Sequence, residues 1–317
     1  MFHNNPIVKL LNIRYPIIQG GMVYCCDWKL ASTVSNSGCL GTIAAGHLSS
    51  GELIDNIIKC KESTNYPFAV NVPLITHNAE EKIKICIDYK VPVVITSAGS
   101  PTKFTSLLKK NNITVLHVVS NLKFAQKAKE AGVDAIIAEG VEAGGHNGKD
   151  ELTTFILTPL LAQKINLPIV SAGGIATGKQ MLAAMILGAS GVQIGTLFIA
   201  TEESSAHPNF KQKIIEANDE STQLCLKKIT PTRLLKNKFY YQIIELENNY
   251  DTEQFKKIIE NKSKLGMYLG DVDNGMLEVG QNVCLINEIL PTQIVIQNIL
   301  NEFFNELSLL KNIFDCF

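Results

Sequence analysis

One stretch of the chain, residues 138–148, combines the residue types that chemistry on a bound ligand requires. Its sequence, AEGVEAGGHNG, contains four glycines, two carboxylates and one histidine. Glycines allow a backbone to press close to a ligand, and a histidine with an ordinary pKa of about 6.5 can hold or release a proton near neutral pH. We therefore predict that His146 is the catalytic residue.

A repeat in the first 200 residues predicts the elements that position this stretch. Short apolar runs recur every 21–34 residues, and a helix-like stretch follows each of the first seven runs. Continuous apolar runs are typical of parallel strands buried on both faces. Eight such repeats predict an α/β fold, a TIM (β/α)8 barrel, with an open doubly wound sheet as the alternative. The predicted strands are 16–20, 40–45, 68–74, 91–97, 113–119, 134–139, 168–172 and 191–199, and the helices are 28–37, 50–61, 78–89, 101–110, 121–131, 153–165 and 177–187.

The period ends at about Thr201, where the chain becomes richer in Lys, Glu and Asn. Further helices are predicted at 209–218, 252–265 and 291–310, and a loop is predicted at 248–251. We expect a barrel over residues 1–200, a small helical cap or substrate domain over 201–290, and a C-terminal helix over 291–317 that packs on the barrel.

Two glycine-containing dipeptides predict a phosphate site. In TIM barrels the chemistry lies at the carboxyl ends of the strands, and loops after the seventh and eighth strands often bind phosphate. Here Gly173-Gly174 follows the seventh predicted strand, and Gly195-Thr196 interrupts the eighth. Their backbone N–H groups and one hydroxyl could hold an anion, although glycine is also needed in tight turns that bind nothing.

Other strand ends carry weaker candidates. Tyr24, His47 and His77 follow the first three predicted strands and could line a substrate pocket, and His117 lies near the end of the fifth. Glu139 and Glu142 could orient a ligand or a backbone amide, or could face solvent.

Composition excludes several classes of protein. The net charge is −1 without a basic block, which argues against a nucleic-acid partner. The eight cysteines form no metal-type pairs and are too sparse for a disulfide scaffold, so we expect reduced thiols and a cytoplasmic location. Neither a secretory signal nor an uncharged apolar run of about 18 residues is visible, so no membrane association is expected.

With these motifs in place, the chain resembles the FMN-dependent enoyl-acyl-carrier-protein reductases of bacteria, the FabK type. This type belongs to a larger group with the nitronate monooxygenases, formerly 2-nitropropane dioxygenases. The barrel motifs are shared across the group, whereas AHPNFK and GDVDNG resemble the reductases more specifically. The matching stretches are PIIQGGM (16–22), FAVNV (68–72), AEGVEAGGHNG (138–148), IVSAGGIATG (169–178), GASGVQIGTLF (188–198), SSAHPNFKQKI (204–214), TRLLKN (232–237) and GDVDNG (270–275).

The resemblance implies a flavoprotein that binds FMN non-covalently, with His146 as the family's histidine near the flavin. Family members often bind a monovalent cation through main-chain oxygens, and a homodimer is expected. Three segments depart from the family pattern and put the substrate in doubt: Tyr24-Cys25-Cys26, the segment 44–47, and Ser97 where a glycine is common. The implied cofactor-binding residues are Gly21, Met22, Asn71, Ser97, Glu139, Gly140, Gly144, Gly145, Ser171, Ala172, Gly173, Gly174, Gln193, Gly195 and Thr196.

The implied activity is reduction of the 2,3 double bond of trans-2-enoyl thioesters on acyl carrier protein, with NADH or NADPH, in fatty acid synthesis. The alternatives on the same scaffold are a nitronate monooxygenase that uses O2, an NAD(P)H:quinone reductase, and a flavin-binding protein without turnover. Basic residues in the last third either meet an acidic carrier protein or form an ordinary solvated face; they are Lys227, Lys228, Arg233, Lys236 and Lys238.

Overall fold

Eight parallel strands form a barrel in the computed structural model, which describes residues 2–247 and 252–314. The TIM barrel predicted from the repeat is confirmed, and each barrel strand lies within one of the eight predicted runs. The strands are β1 (Ile17–Gln19), β2 (Gly41–Ala44), β3 (Phe68–Pro73), β4 (Val93–Ser97), β5 (Thr114–Val119), β6 (Ala135–Glu139), β7 (Gly145–His146), β8 (Ile169–Ala172), β9 (Gly191–Ile194), β10 (Thr222–Cys225) and β11 (Thr232–Leu235).

The barrel runs in the order β1-β9-β8-β6-β5-β4-β3-β2, and every neighbouring pair is parallel. Hydrogen bonds between β1 and Leu40 close it: the N–H of Gln19 donates to the carbonyl of Leu40 at 2.9 Å, and the N–H of Leu40 donates to the carbonyl of Ile17 at 3.0 Å. Closure brings the carboxyl ends of all eight strands to one mouth.

All seven helices predicted between barrel strands are present, although Pro101–Lys103 is a 3-10 turn that precedes a shorter α-helix. Reciprocal capping boxes fix the starts of two of them, through Ser49 with Glu52 and through Thr177 with Gln180. No helix among the described residues is long and apolar enough to cross a membrane. The α-helices are α1 (Pro6–Leu11), α2 (Trp28–Asn36), α3 (Ser50–Ser63), α4 (Ala79–Asp88), α5 (Thr105–Lys110), α6 (Leu122–Glu130), α7 (Thr154–Lys164), α8 (Gly178–Ile186), α9 (Thr196–Ile199), α10 (Pro208–Ile215), α11 (Lys238–Glu247), α12 (Thr252–Ile259) and α13 (Thr292–Phe314), with a π-helix at Lys264–Tyr268 and a second 3-10 helix at Gln281–Leu285.

Alternation along the strands decides which side chains face the barrel interior. Ala69, Ile95 and Ile137 belong to the cluster that fills the interior, whereas their chain neighbours pack outward against the helices. Because side chains alternate along a strand, the residues two positions further on, Asn71, Ser97 and Glu139, face the interior at the mouth. Gln193 joins them, since it pairs with interior-facing Ile18. The polar residues of this layer can therefore reach one ligand.

The region predicted as a helical cap contains α10, α11 and α12, and also two strands that were not predicted. β10 and β11 form an antiparallel pair, to which the two residues of β7 add a third strand. Both cap strands are only four residues long, and their partner β7 lies in the barrel half of the chain, so no local pattern indicates the sheet. This sheet ties the cap to the loop that carries His146.

Two further predictions differ from the structure or lie outside it. The eighth predicted strand, 191–199, ends at Ile194, because the chain turns at Gly195 and continues as the short helix α9. The predicted loop at 248–251 lies outside the described residues. At the C-terminus, α13 packs against α8 so closely that a Cβ on Gly178 would lie 2.3 Å from the carbonyl oxygen of Ile299.

Candidate active site

Two buried amide side chains at the mouth are left largely without protein hydrogen bonds. Asn71 is 7% exposed and Gln193 is 8% exposed. Asn71 accepts one long bond from the Ser97 hydroxyl at 3.5 Å, and the Gln193 side chain forms no hydrogen bond among the described residues. Within the described residues, Thr42 Oγ1 is the fully buried side-chain N or O atom without a hydrogen-bond partner. The unbonded atoms of the two amides are therefore not fully buried, and both amides retain access to the mouth. Buried polar groups of this kind favour a ligand that completes their hydrogen bonds.

The dipeptides Gly173-Gly174 and Gly195-Thr196, predicted to bind phosphate, lie side by side, because β8 and β9 are neighbours. Gly173 and Gly174 both have positive φ, +93° and +73°. Among residues 2–247 and 252–314, the N–H groups of Gly173, Gly174, Gly195 and Thr196 donate to no protein acceptor. The Thr196 hydroxyl accepts from the N–H of Gly280 at 2.9 Å, which brings the 3-10 segment of the cap over this cradle. Adjacent free N–H groups of this kind form an anion site.

The loop after β6 packs directly on the loop after β8. A Cβ on Gly140 would lie 2.2 Å from the Thr154 hydroxyl, and one on Gly173 would lie 2.8 Å from the carbonyl oxygen of Gly140. The Glu142 carboxylate accepts bonds from the N–H of Thr154 at 2.9 and 3.0 Å and from its hydroxyl at 3.0 Å. Of the roles considered for Glu142, the structure therefore shows that it orients a backbone amide, at the start of α7.

His146 is presented at the edge of the small sheet. Its backbone pairs with Thr232, and its side chain is exposed. The next residue anchors the turn: Asn147 Nδ2 donates to the carbonyls of Ala143 at 2.9 Å and Gly145 at 3.0 Å. The imidazole thus has a fixed backbone beneath it and open space around it, which suits contact with a substrate.

Glu139 ends β6 on the interior face of the barrel. Its carboxyl group forms no hydrogen bond with the described residues, and burial raises its pKa from the ordinary 4.5 to about 7. No nearby charge contributes to the shift, so the cause is desolvation alone. The group can hold or release a proton near neutral pH.

Of the remaining predicted cofactor residues, Gly21 and Met22 lie against other residues of the mouth, whereas the Ser171 side chain does not. Gly21 presses its backbone against Asn71, since a Cβ there would lie 2.5 Å from that of Asn71. The Met22 side chain lies beside Gly195, where an added Cβ would be 3.7 Å from its Cγ. The Ser171 hydroxyl bonds instead with Thr158 of α7 at 2.7 Å, on the outer face of β8, so its side chain points away from the mouth.

Two further residues predicted to bind the cofactor, Gly144 and Ala172, lie against the cap and in the barrel interior. Gly144 lies against the cap, where a Cβ would be 2.4 Å from the carbonyl carbon of Val279. Ala172 belongs to the barrel interior and pairs with Glu139 across the strands.

Of the predicted substrate residues, the structure brings Tyr24 and His47 together. Their ring centroids lie 4.4 Å apart, and the N–H of Tyr24 donates to His47 Nδ1 at 3.4 Å. Tyr268, from the π-helix, adds a third ring 6.3 Å from that of Tyr24. Burial lowers the pKa of His47 to about 4, so its ring is neutral at physiological pH. These rings form an aromatic wall on one side of the mouth.

The other two candidate histidines, His77 and His117, lie elsewhere. His77 is exposed and lines an open groove of about 890 Å³ between α3, α4 and α5, together with Ser49, Asn78 and Lys84. His117 is buried, and its Nδ1 lies 2.7 Å from the Thr96 hydroxyl on the outer face of β5. Burial also lowers the pKa of His117 to about 4. Neither imidazole joins the Tyr24–His47 pair.

Sequence analysis missed Tyr268 and Glu278. Glu278 Oε1 accepts from the Ser263 hydroxyl at 2.6 Å, and a Cβ on Gly145 would lie 2.7 Å from its Oε2. The one available signal was the nearby GDVDNG motif, which marks the segment but neither residue.

Comparison with known proteins identifies the family. A family model described as nitronate monooxygenase matches residues 4–81 and 74–302. A probable nitronate monooxygenase from Staphylococcus saprophyticus is 34% identical over 294 residues, which cover 78% of this chain and 81% of the relative. The chain belongs to the nitronate monooxygenase family.

Solved structures refine this membership. FabK from Thermotoga maritima matches with a TM-score of 0.94 and 38% identity, over 98% of this chain and 99% of that one. Nitroalkane oxidase from Streptomyces ansochromogenes matches with a TM-score of 0.85 and 25% identity, over 96% and 99%. The family member is therefore of the FabK type, as its motifs predicted. It is an oxidoreductase of this superfamily, which implies a flavin cofactor.

Proposed function

We propose that the protein is an FMN-dependent reductase of trans-2-enoyl thioesters, with NADH or NADPH as the reductant and acyl carrier protein as the carrier. The observation that carries the proposal is the match to Thermotoga FabK, which spans nearly all of both chains at 38% identity. The match to the nitroalkane oxidase is equally long but reaches only 25%. The AHPNFK and GDVDNG segments, which resemble the reductases, support the same choice.

The residues at the mouth fit FMN. The free N–H groups of Gly173, Gly174, Gly195 and Thr196 would hold its phosphate, because several donors converge there without protein partners. The amides of Asn71, which has one long bond from Ser97, and of Gln193, which has none, would bond the polar edge of the ring. When bound, FMN supplies the hydride chemistry that links the nicotinamide to the enoyl double bond.

The chain itself must supply a proton and stabilise charge. Reduction at the β-carbon of an enoyl thioester leaves the α-carbon in need of a proton. His146, exposed on a fixed backbone, would donate that proton directly or through a water molecule. Negative charge that develops on the thioester oxygen would be stabilised by backbone N–H groups at the mouth.

A second candidate is a nitronate monooxygenase. Its support is the description of the family model and the name of the Staphylococcus relative. In that reaction His146 would serve as a base or would bind the substrate, O2 would accept the electrons, and no nicotinamide would be required.

Anaerobic stopped-flow spectroscopy of the purified yellow protein separates the two. We expect rapid bleaching of the flavin by NADH or NADPH, followed by reoxidation on mixing with crotonyl or longer enoyl thioesters. Bleaching by an alkyl nitronate but not by either nicotinamide would contradict the reductase and support the monooxygenase. No bleaching by any donor would leave a flavin-binding protein without turnover.

The proposal extends to partner, assembly and location. Arg233 is buried and donates to the carbonyl of Val141, so it is not available to an acidic carrier protein. Lys227 and Lys228 are exposed, and they bond on the surface to Glu151 and to the carbonyl of Glu247. We expect K227E/K228E to raise the KM for a carrier-protein thioester and to leave that for the coenzyme A thioester unchanged; equal effects on both would argue against carrier docking. A homodimer, a cytoplasmic location and a monovalent cation remain predictions, the second supported by the free thiols of the described cysteines.

A further inference from the structure

Glu278 lies next to the loop that carries His146. On the edge of β11, Thr232 pairs with His146, Arg233 pairs with Gly145, and Leu234 bridges Glu278. Glu278 therefore occupies the next position along the edge after Gly145. Contact is direct, since a Cβ on Gly145 would lie 2.7 Å from Glu278 Oε2. A side chain at position 145 would displace this carboxylate, so the glycine and the glutamate fit one another.

One oxygen of this carboxylate is held and the other is free. Oε1 accepts from the Ser263 hydroxyl at 2.6 Å. Oε2 accepts no hydrogen bond from the described residues, and it is not fully buried, so it is open to solvent beside Gly145. The carboxylate also faces the aromatic wall: after burial, its charge is the second cause that raises the pKa of Tyr24.

The charge of Glu278 is not compensated. Glu278 forms no ion pair within the described part of the chain. Two cations lie near Glu278, Arg233 on the paired strand β11 and Lys262 in the preceding chain segment, and both are engaged elsewhere. Arg233 donates to the carbonyl of Val141, and Lys262 lies over the Phe239 ring at 5.0 Å. Lys264 faces His47, whose pKa it lowers. A half-buried carboxylate without a cation repels other anions more strongly than an exposed one, because water screens it less.

We propose that Glu278 is a specificity-determining residue, which selects neutral, hydrogen-bond-donating substrates over anionic ones at the mouth. This inference rests on the proposed function. An enoyl thioester is neutral at its reacting end, and the amide N–H groups of its thiol arm can donate to Oε2. An alkyl nitronate is an anion and meets the unpaired charge. The residue thus favours the reductase over the second candidate.

The test compares two ligands of one shape, benzoate and benzamide, by their perturbation of the visible flavin spectrum of the oxidised holoprotein. We expect E278Q to tighten benzoate binding about tenfold, the size expected for one unit charge about 10 Å away in a medium of intermediate dielectric. Benzamide binding should change less than twofold. This measurement needs neither nicotinamide nor turnover. A negative result would therefore count against the role of Glu278 and not against the proposed reductase activity.

Two controls separate charge from structure. S263A removes the hydrogen bond but keeps the charge, so it should leave the preference for benzamide intact. E80Q removes a carboxylate that is exposed and paired with Lys103, and it should change neither affinity.

The wild-type protein provides a measurement that needs no variant. Its benzoate affinity should rise between 0.01 and 0.5 M salt, as screening weakens the repulsion, whereas its benzamide affinity should not. Benzoate affinity that is insensitive to both salt and E278Q would overturn the proposal. Failure of benzoate to bind even to E278Q, at concentrations where benzamide binds, would overturn it as well.

Discussion

The two sides of the barrel mouth recognise ligands by different parts of the chain. On the glycine side, the loops after β6, β8 and β9 present main-chain N–H groups, which glycines such as Gly173 bring close together. On the aromatic side, Tyr24, His47 and Tyr268 present rings, with the Glu278 carboxylate beside them. Main-chain donors suit a phosphate that never varies, whereas side chains can change from one family member to the next without moving the backbone.

The backbone is relaxed on one side and strained on the other. Gly173 adopts a φ of +93°, which costs glycine little, but Tyr24 adopts a φ of +65°, which costs another residue about 1–2 kcal/mol. Bonds to its neighbours hold Tyr24 there: the Ser205 hydroxyl donates to its carbonyl at 3.2 Å, and His47 accepts from its N–H. Strain that is maintained by several contacts is frequent at functional sites. The difference predicts that the glycine side binds cofactor and the aromatic side binds substrate.

The largest effect on cofactor binding is expected from Gly173→Ala. A Cβ there would lie 2.8 Å from the carbonyl oxygen of Gly140, so the loop must shift and misdirect its N–H groups. Loss of one or two bonds to a charged phosphate should weaken FMN binding about 100-fold, as measured by fluorescence titration of the apoprotein.

Gly132→Ala is the matched control for that change. Gly132 has a similar φ of +86°, but nothing lies within 4 Å of its added Cβ. It should lose about 1 kcal/mol of unfolding free energy and retain normal FMN affinity. Equal loss of FMN in both variants would mean that backbone strain, and not the cradle, explains the effect.

His146→Ala should separate chemistry from cofactor binding. Its side chain is exposed and supports no packing, so the variant should keep its FMN. If the imidazole supplies the proton, turnover of enoyl thioester should fall about 10²–10⁴-fold, while reduction of the flavin by nicotinamide stays near the wild-type rate. Wild-type turnover in this variant would remove His146 from the mechanism.

Tyr24→Ala tests the aromatic side. Loss of a ring that stacks on His47 should raise the KM for the enoyl thioester about tenfold without changing FMN content. Tyr66→Ala serves as the control, because Tyr66 is 57% exposed and precedes β3 at the opposite end of the barrel. A drop in FMN content in Tyr24→Ala but not in Tyr66→Ala would mean that the aromatic side also binds the cofactor, which would contradict the division between the two sides.

A pH-dependent effect on stability is expected from the carboxyl group beneath the mouth. The raised pKa of Glu139, about 7, means that the folded protein binds a proton between pH 4.5 and 7 that the unfolded chain lacks. Its contribution to the unfolding free energy therefore falls as pH rises through this window, by about 3 kcal/mol. In apoprotein melts, the stability of Glu139→Gln relative to wild type should rise by that amount from pH 4.5 to 7.5.

Two buried histidines act in the opposite direction, so only the difference between variant and wild type isolates Glu139. Burial lowers the pKa of His47 and His117 to about 4, and their contribution is lost as pH falls from 6.5 to 4. Parallel stability curves for wild type and Glu139→Gln would show that Glu139 does not titrate in this range.

Local sequence was enough to predict the barrel and the glycine side. Each strand and its following helix are specified by nearby residues, and parallel strands in a barrel all end at one mouth. Gly173-Gly174 and Gly195-Thr196 follow strands that neighbour one another in such a barrel, so their proximity could be inferred before any coordinates. Periodicity could not resolve where the last strand ends, since the apolar run 191–199 continues into α9.

Tyr24 and His47 were candidates from the sequence, but the assembly of the aromatic side and the support of His146 were decided only by tertiary structure. β7 pairs with β11, Tyr268 approaches Tyr24, and Glu278 contacts Gly145, and in each case the partners are far apart in the chain. Such contacts depend on how the cap folds back over the barrel, and no periodicity or motif encodes them locally. The Ser171 hydroxyl turns outward to Thr158 for a different reason, because the strand's alternation gives the interior to its neighbour Ala172.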